Sequence, residues 1–360
     1  MCIIGGMVPS FVRNNVGQMS GYTPGEQPAI GERVVKLNTN ENPFPPSPKV
    51  MQAVHEIEAE MLRRYPNPTA DGFREAAAKV HGISMDMIIA GNGSDDILSI
   101  AMRTFLGPAD LVAFAAPTYS LYPVLADLGE VKWATVPWGP GWGLPIDALL
   151  ALKPKGIFLA NPNAPTGTFV AISKIKELLT RFSGMVLIDE AYADFAGENC
   201  VGLLQEHQNL VISRTLSKGY SLAGLRFGYG MGQAPVIAEM MKVKDSYNCD
   251  AIAVCAATAA VLDQEYAKQA WEHIRSERER LSAELGAMGW KVLPSRANFV
   301  LATAPDGDGK GAYLGLKAQG ILVRYFDKPG LQDKIRITVG TSQENNALLA
   351  GIRALSAKAA

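Results

Sequence analysis

The run Ser213-Arg214-Thr215-Leu216-Ser217-Lys218 follows an apolar stretch, and Gly224-Leu225-Arg226 closes the turn after it. Two hydroxyls just before Lys218 and a fixed cation after it, Arg226, make a dianion site around an amine. That set suits a phosphate-bearing cofactor whose aldehyde bonds covalently to a lysine. A second element, Met185-Val186-Leu187-Ile188, is an apolar strand that ends on Asp189, with Tyr192 three residues on. Ligands of open α/β sheets bind at such strand ends. A carboxylate there can face a pyridine nitrogen and keep it protonated, which makes the ring an electron sink. A magnesium-binding aspartate would instead need a GxxxxGK[ST] loop, and the sequence contains none.

Three further stretches can serve the same chemistry. Gly91-Asn92-Gly93-Ser94-Asp95-Asp96 lies directly before a helical pattern, where free N–H groups attract phosphate. It fails as a dinucleotide fingerprint because Asp96 stands where a third glycine belongs. Asn161-Pro162-Asn163-Ala164-Pro165-Thr166-Gly167 is a turn after another apolar run. Pro117-Thr118-Tyr119 sets an aromatic ring where it can stack on a flat cofactor.

These segments must be positioned by a framework that the hydrophobic pattern outlines. Strands are predicted at Leu111–Ala115, Val131–Val136, Gly156–Ala160, Met185–Ile188, Leu210–Ser213 and Phe227–Met231. Helices alternate with them, for example Asp95–Phe105, Tyr119–Leu128 and Ile172–Phe182. Runs that are apolar throughout suit a sheet covered on both faces, and the alternation suits a mostly parallel α/β sheet. Before it, residues 1–48 read as an extended arm, followed by a helix over Pro48 to Arg64. After it, residues 250–288 read as one long helix. Strands at Trp290–Leu293, Asn298–Ala302, Ile321–Tyr325 and Lys334–Val339, with helices at Ala312–Ala318 and Gln343–Lys358, make a smaller α+β unit. The expected organisation is an arm over 1–45, packing with the small domain and a partner subunit, a large domain over 46–255 and a small domain over 256–360.

Composition narrows the class. The chain has 360 residues, 34 Lys+Arg against 35 Asp+Glu, a net charge of −1 and 48% apolar residues. That is enough for two domains with a sizeable core, and the neutral balance gives no broad footprint for nucleic acid or an anionic membrane. Cys2, Cys200, Cys249 and Cys255 show no CxxC spacing, and with only 4 His no metal site is expected. The Met1–Pro9 stretch lacks the basic start of a signal peptide, and no run reaches about 18 apolar residues, so the cytoplasm is the expected compartment.

In its order of Asp189-x-x-Tyr192, Ser217-Lys218 and Gly224-x-Arg226, the sequence resembles the fold-type I aminotransferases that use pyridoxal 5'-phosphate. The resemblance implies an α/β fold: a large domain with a mostly parallel seven-stranded sheet, plus a smaller α+β domain. It implies Lys218 as the Schiff-base lysine and proton carrier, Asp189 at the pyridine nitrogen, Tyr192 at the ring hydroxyl and Tyr119 stacked on the ring. Gly93, Ser94, Asp95, Thr215, Ser217 and Arg226 would hold the phosphate. The family usually has Asn immediately before Pro-Thr-Gly, donating to the ring oxygen; here Ala164 stands there, which leaves Asn161, Asn163 or Tyr192 alone for that contact.

The ends of the chain narrow the resemblance. Ser20-Gly21-Tyr22-Thr23-Pro24-Gly25 and Lys36-Leu37-Asn38-Thr39-Asn40-Glu41-Asn42-Pro43-Phe44 are similar to histidinol-phosphate aminotransferases. So are Arg64-Tyr65-Pro66, Arg296-Ala297-Asn298-Phe299, Gly320-Ile321-Leu322-Val323-Arg324 and Ile335-Arg336-Ile337-Thr338-Val339-Gly340. The resemblance implies ping-pong transfer of an amino group between glutamate and imidazole acetol phosphate, giving 2-oxoglutarate and histidinol phosphate. Arg336 would take the α-carboxylate of glutamate, a planar two-point partner for guanidinium. Arg324, Arg336 and Tyr22 would share the phosphate of histidinol phosphate, with Asn40 also at the substrate. Tyr65 would reach the cofactor phosphate of the partner subunit, which makes the expected enzyme a homodimer with a shared site. A threonine-phosphate decarboxylase or an aromatic-amino-acid aminotransferase of the same fold is the alternative. A non-catalytic regulator of this fold would not need the intact Lys218, Asp189 and Arg226 set.

Overall fold

The structure, a computed structural model, describes residues 9–29 and 31–359, with side chains through 355. The reading of Met1–Pro9, with Cys2, therefore falls almost wholly outside the described residues. Among the described residues thirteen strands, β1 to β13, occupy Val35–Lys36, Ile88–Gly91, Leu111–Ala116, Lys132–Pro137, Gly156–Ala160, Met185–Asp189, Leu210–Thr215, Gly228–Gly232, Lys291–Val292, Phe299–Thr303, Ile321–Leu322, Arg324–Tyr325 and Lys334–Thr338.

Seven of them form the large sheet, in the order β2-β8-β7-β6-β5-β3-β4. Only β8 runs antiparallel to its neighbours β2 and β7; the other pairs are parallel. Alternate side chains of the central strands enter different cores. Ile157, Leu159, Val186, Ile188, Leu210 and Ile212 pack on one face, while Phe158, Leu187 and Val211 pack on the other. Burial on both faces is why these runs lack polar alternation. The parallel strands deliver Pro117, Asn161, Glu190 and Leu216 to one edge of the sheet. The strand β2, which sequence periodicity did not single out, adds Gly91-Asn92-Gly93 beside them.

The smaller unit has an antiparallel sheet ordered β12-β13-β10-β9, and β1 of the arm pairs in parallel with β11. Leu37 of the arm joins its core with Leu281, Leu285, Val300, Ile335 and Ile352. The predicted strand Ile321–Tyr325 is two strands, since β11 pairs with the arm and β12 with β13. The predicted long helix is likewise two, Ala251–Leu262 and Gln264–Ala287. Asp263 breaks it with φ −91° and ψ 62°, its carboxylate drawn off by the Ser47 hydroxyl at 2.5 Å and the Lys49 ammonium at 2.7 Å. Residues Ala253 through Ile274 pack into the large-domain core, so the change to the small-domain core comes along the second helix, before Leu281. The predicted helix Pro48–Arg64 is also divided, into Pro48–His55 and Ala59–Leu62, and the arm contains a short helix, Asn14–Gln18. Among the described residues no helix is long and apolar enough to cross a membrane.

Candidate active site

One cavity of about 920 Å³ opens at this strand edge and is lined by Tyr22, Asn40, Asp189, Tyr192, Lys218, Arg226, Arg324 and Arg336 among others. Lys218 stands in a one-turn helix, Leu216–Gly219, whose N-cap Thr215 accepts a hydrogen bond from the Ser217 N–H at 3.1 Å. The Lys218 ammonium donates to the Thr39 carbonyl of the arm at 3.0 Å. Asn42 returns a bond from its amide to the Lys218 carbonyl at 3.1 Å. Burial, helped by the Arg336 charge, lowers the Lys218 pKa to about 8, with Glu41 opposing. An amine so depressed is a nucleophile and a proton carrier near neutral pH.

Asp189 forms the base of the cavity and is 4% exposed. Its oxygens accept from the Tyr122 hydroxyl at 3.0 Å and the Ala191 N–H at 3.2 Å. Burial raises its pKa to about 7 against the pull of these bonds. A sealed carboxylate held only by neutral donors is ready to pair with a cation, such as a protonated ring nitrogen. Tyr192 is placed by Asn40, whose amide donates to the phenol oxygen at 2.9 Å. Asn40 is in turn locked by the Asn298 amide on its carbonyl and the Thr338 hydroxyl on its side-chain oxygen.

An anion cradle lies at one end. The helix Ser94–Phe105 starts after Gly93 with no side-chain cap, so its first N–H groups are free of one. Gly93 has φ 87°, and a Cβ there would lie 2.8 Å from the Arg226 guanidinium. A Cβ on Gly228 would strike the Gly93–Ser94 backbone, so β8 can approach the helix start only as glycine. Ser94, Thr215, Ser217 and Arg226 line this end. Asp95 lies there too, with its charge spoken for by Arg226 at 3.4 Å and the Tyr119 hydroxyl at 3.2 Å. Its contribution to an anion is therefore its place in the first helical turn rather than its carboxylate.

The other end is cationic. Arg336 donates to the Asn38 carbonyl at 3.1 Å and lies over the Phe299 and Phe326 rings. Its buried Nε has no hydrogen-bond partner among the described residues. Arg324 donates to the carbonyls of Pro24 and Thr23, both at 3.1 Å. Tyr22 packs edge-on to Tyr119 at 5.9 Å.

A sequence model described as aminotransferase class I and II matches residues 32–352. The chain is 45% identical to histidinol-phosphate aminotransferase 1 of Trichormus variabilis, over 96% of this chain and 99% of that one. It is 43% identical to the histidinol-phosphate aminotransferase of Syntrophotalea carbinolica, over 95% and 98%. The chain belongs to the histidinol-phosphate aminotransferase family. The fold accords: the histidinol-phosphate aminotransferase of Sinorhizobium meliloti, solved in complex with pyridoxal-5'-phosphate, superposes with TM-score 0.86 at 24% identity, over 97% of this chain and 99% of that one.

Against that family's pattern, the cavity brings together all but three of the expected site residues. Gly93 sits just behind its wall, against Arg226. Asn163 does not line it: its amide donates to the Pro117 carbonyl at 3.1 Å and to Thr166 Oγ1 at 2.8 Å. Asn161 is also turned away, bonded through both ends of its amide to the Val170 backbone. Ala164 does face the cavity, packed with Ala297, Phe299 and Tyr192, and of Asn161, Asn163 and Tyr192 it is Tyr192 that lines it. Tyr65 lies outside, 81% exposed and stacked on Tyr247 at 4.4 Å. Sequence reasoning missed Tyr122, which stands in the first turn of the helix Leu121–Leu128, just after Tyr119. It also missed the Thr39 carbonyl, for which no side-chain signal exists.

Proposed function

We propose that the chain catalyses amino transfer between glutamate and imidazole acetol phosphate, with pyridoxal 5'-phosphate as cofactor. The observation that carries this reading is a half-buried lysine of lowered pKa set between an uncapped helix start and two arginines in one cavity. The orphaned Arg336 Nε, the Asp189 carboxylate with only neutral donors and the cradle a Cβ at Gly93 would fill all fit a phosphorylated, ring-nitrogen cofactor with a carboxylate substrate.

When bound, the cofactor supplies an aldehyde to capture amines and a cationic ring to accept charge from the substrate α-carbon. The protein's part is placement. Asp189 holds the ring-nitrogen proton, Tyr192 donates to the ring hydroxyl and Tyr119 lies against the ring face. Ser94, Thr215, Ser217 and Arg226 fix the phosphate, with the N–H groups after Gly93. Lys218, as a neutral amine, would serve as the base that takes the proton from the substrate α-carbon. Arg336 pairs with the glutamate carboxylate; Arg324, Arg336 and Tyr22 receive the phosphate of histidinol phosphate, near Asn40. In this reading the enzyme is a cytoplasmic homodimer in which Tyr65 completes the partner's phosphate site. The exposed cluster of Met61, Leu62, Tyr65, Tyr247 and Ile252 supports that assembly.

The test is a half-reaction. The protein is loaded with pyridoxal 5'-phosphate, and histidinol phosphate is added without an acceptor. Loss of the cofactor's visible band, restored by 2-oxoglutarate, is the expected result. Release of carbon dioxide from phosphothreonine, with histidinol phosphate inert, would replace this reading with the decarboxylase.

A further inference from the structure

The hydroxyl of Tyr122 donates to Asp189 at 3.0 Å, and the phenol is fully buried. Three rings fix it: Phe114 at 5.5 Å, Tyr119 at 5.7 Å and Phe158 at 5.7 Å between centroids. Tyr122 also stands in the first turn of the helix Leu121–Leu128, its N–H bonded to the Tyr119 carbonyl at 3.2 Å. One short segment thus carries both the ring-stacking tyrosine and the side chain that touches the carboxylate beneath it. Burial and the Asp189 charge push the phenol far above its ordinary pKa, so it remains a donor at every working pH. Burial, with the Asp95 and Glu190 charges adding to it, drives the Asp189 carboxyl toward the neutral acid, and the bonds from Tyr122 and Ala191 oppose it.

We infer that Tyr122 is a positioning residue: its O–H fixes the orientation of the Asp189 carboxylate and holds it as an anion, with acceptor capacity left for the ring nitrogen of the cofactor. The inference rests on the cofactor reading above and deepens it. A hydrogen bond to a charged group is strong, and leaving a buried carboxylate without it is costly. Packing is a separate role, which the phenyl ring of phenylalanine preserves.

Tyr122→Phe is compared with the parent protein by thermal melting, by titration of the cofactor-free protein with pyridoxal 5'-phosphate, and by pH titration of the bound cofactor's visible band. The expected result is a single cooperative melt a few degrees below the parent's and a cofactor Kd raised about ten-fold. The pH midpoint of the band should also move up by about one unit, because a ring less often cationic releases its other proton less readily. In an Asp189→Asn background, Tyr122→Phe should change neither Kd nor midpoint further. Parent-like affinity and midpoint in Tyr122→Phe, or shifts of the same size without Asp189, would reduce Tyr122 to a packing residue. A parent protein that acquires no visible band would bring down the cofactor reading and this assignment together.

Discussion

The Arg214 guanidinium donates to Glu190 at 2.8 Å, and both side chains are sealed from solvent. A second bond reaches Asp194 at 2.9 Å, and the Cys200 N–H donates to the other Glu190 oxygen at 2.5 Å. Glu190 follows Asp189 and Arg214 precedes Thr215, so the pair ties together the ends of β6 and β7, where the chemistry is held. Arg214→Met should cost about 3–5 kcal/mol, because two carboxylates stay buried without their cation. Urea unfolding of the cofactor-free protein checks this; an unchanged midpoint would mean that water or rearrangement satisfies the carboxylates.

Asp189 sets function against stability. Its folded pKa of about 7 lies above its ordinary value of 3.8, so the native state binds more protons between those values and stability falls as pH rises through that window. Above about 7 the full penalty remains. Asp189→Asn keeps the shape and removes the charge. Melting of the cofactor-free variant should exceed the parent's by several degrees at pH 8 and by clearly less at pH 5. Amino transfer should be crippled at both.

Lys218 should behave as an amine of pKa about 8. Covalent capture of pyridoxal 5'-phosphate by the cofactor-free protein should quicken as pH rises through about 8 and then level, since the neutral amine is the nucleophile. A rate that climbs toward the ordinary lysine value of 10.5 would show that burial does not depress it. Lys218→Ala should lose turnover by about 10⁴-fold or more, since the nucleophile and the proton carrier go together.

That Lys218, Asp189 and Arg226 meet in one cavity was legible in the sequence from local rules: Asp189 ends an apolar strand, Lys218 stands just past another, and Arg226 closes the turn that follows Lys218. Tyr122 was not, because nothing local distinguishes a tyrosine packed among Phe114 and Phe158 from one that also bonds a carboxylate 67 positions away. Asn163 is hard to read for the opposite reason: its amide has the look of a free donor in a turn, yet its N–H groups are taken by the Pro117 carbonyl and the Thr166 hydroxyl. The unbroken helix predicted across residue 263 failed on a tertiary effect, the capture of Asp263 by Ser47 and Lys49. The sheet was legible because burial on both faces leaves its mark in every central strand; the arm strand and its pairing with β11 were not, because a two-residue pairing leaves none.

The close fit of Gly93 to Arg226 predicts a steric switch on the cofactor phosphate. Gly93→Ala demands both a positive φ of 87° from alanine and displacement of the guanidinium 2.8 Å from the new methyl. Cofactor Kd should rise about ten-fold or more in Gly93→Ala and in Arg226→Gln. The double variant should be little weaker than either alone, since both remove the same contact. Independent, multiplying losses measured by titration of the cofactor-free protein would separate the two residues.

Arg324 should act on substrate through the arm as well as through its charge. Both of its terminal nitrogens hold the Thr23 and Pro24 carbonyls, and a Gly25 Cβ would collide with the Thr39 methyl, so the arm is drawn against the cavity wall. Arg324→Lys keeps the cation but loses the forked geometry that spans two carbonyls. KM for histidinol phosphate should rise about ten-fold, with cofactor Kd unchanged, and limited proteolysis should cut faster between residues 20 and 29. Arg324→Lys with parent-like proteolysis and a raised KM would assign the residue to the phosphate alone. If instead the arm loosens while KM holds, Arg324 serves only to fasten Tyr22 and its neighbours at the mouth.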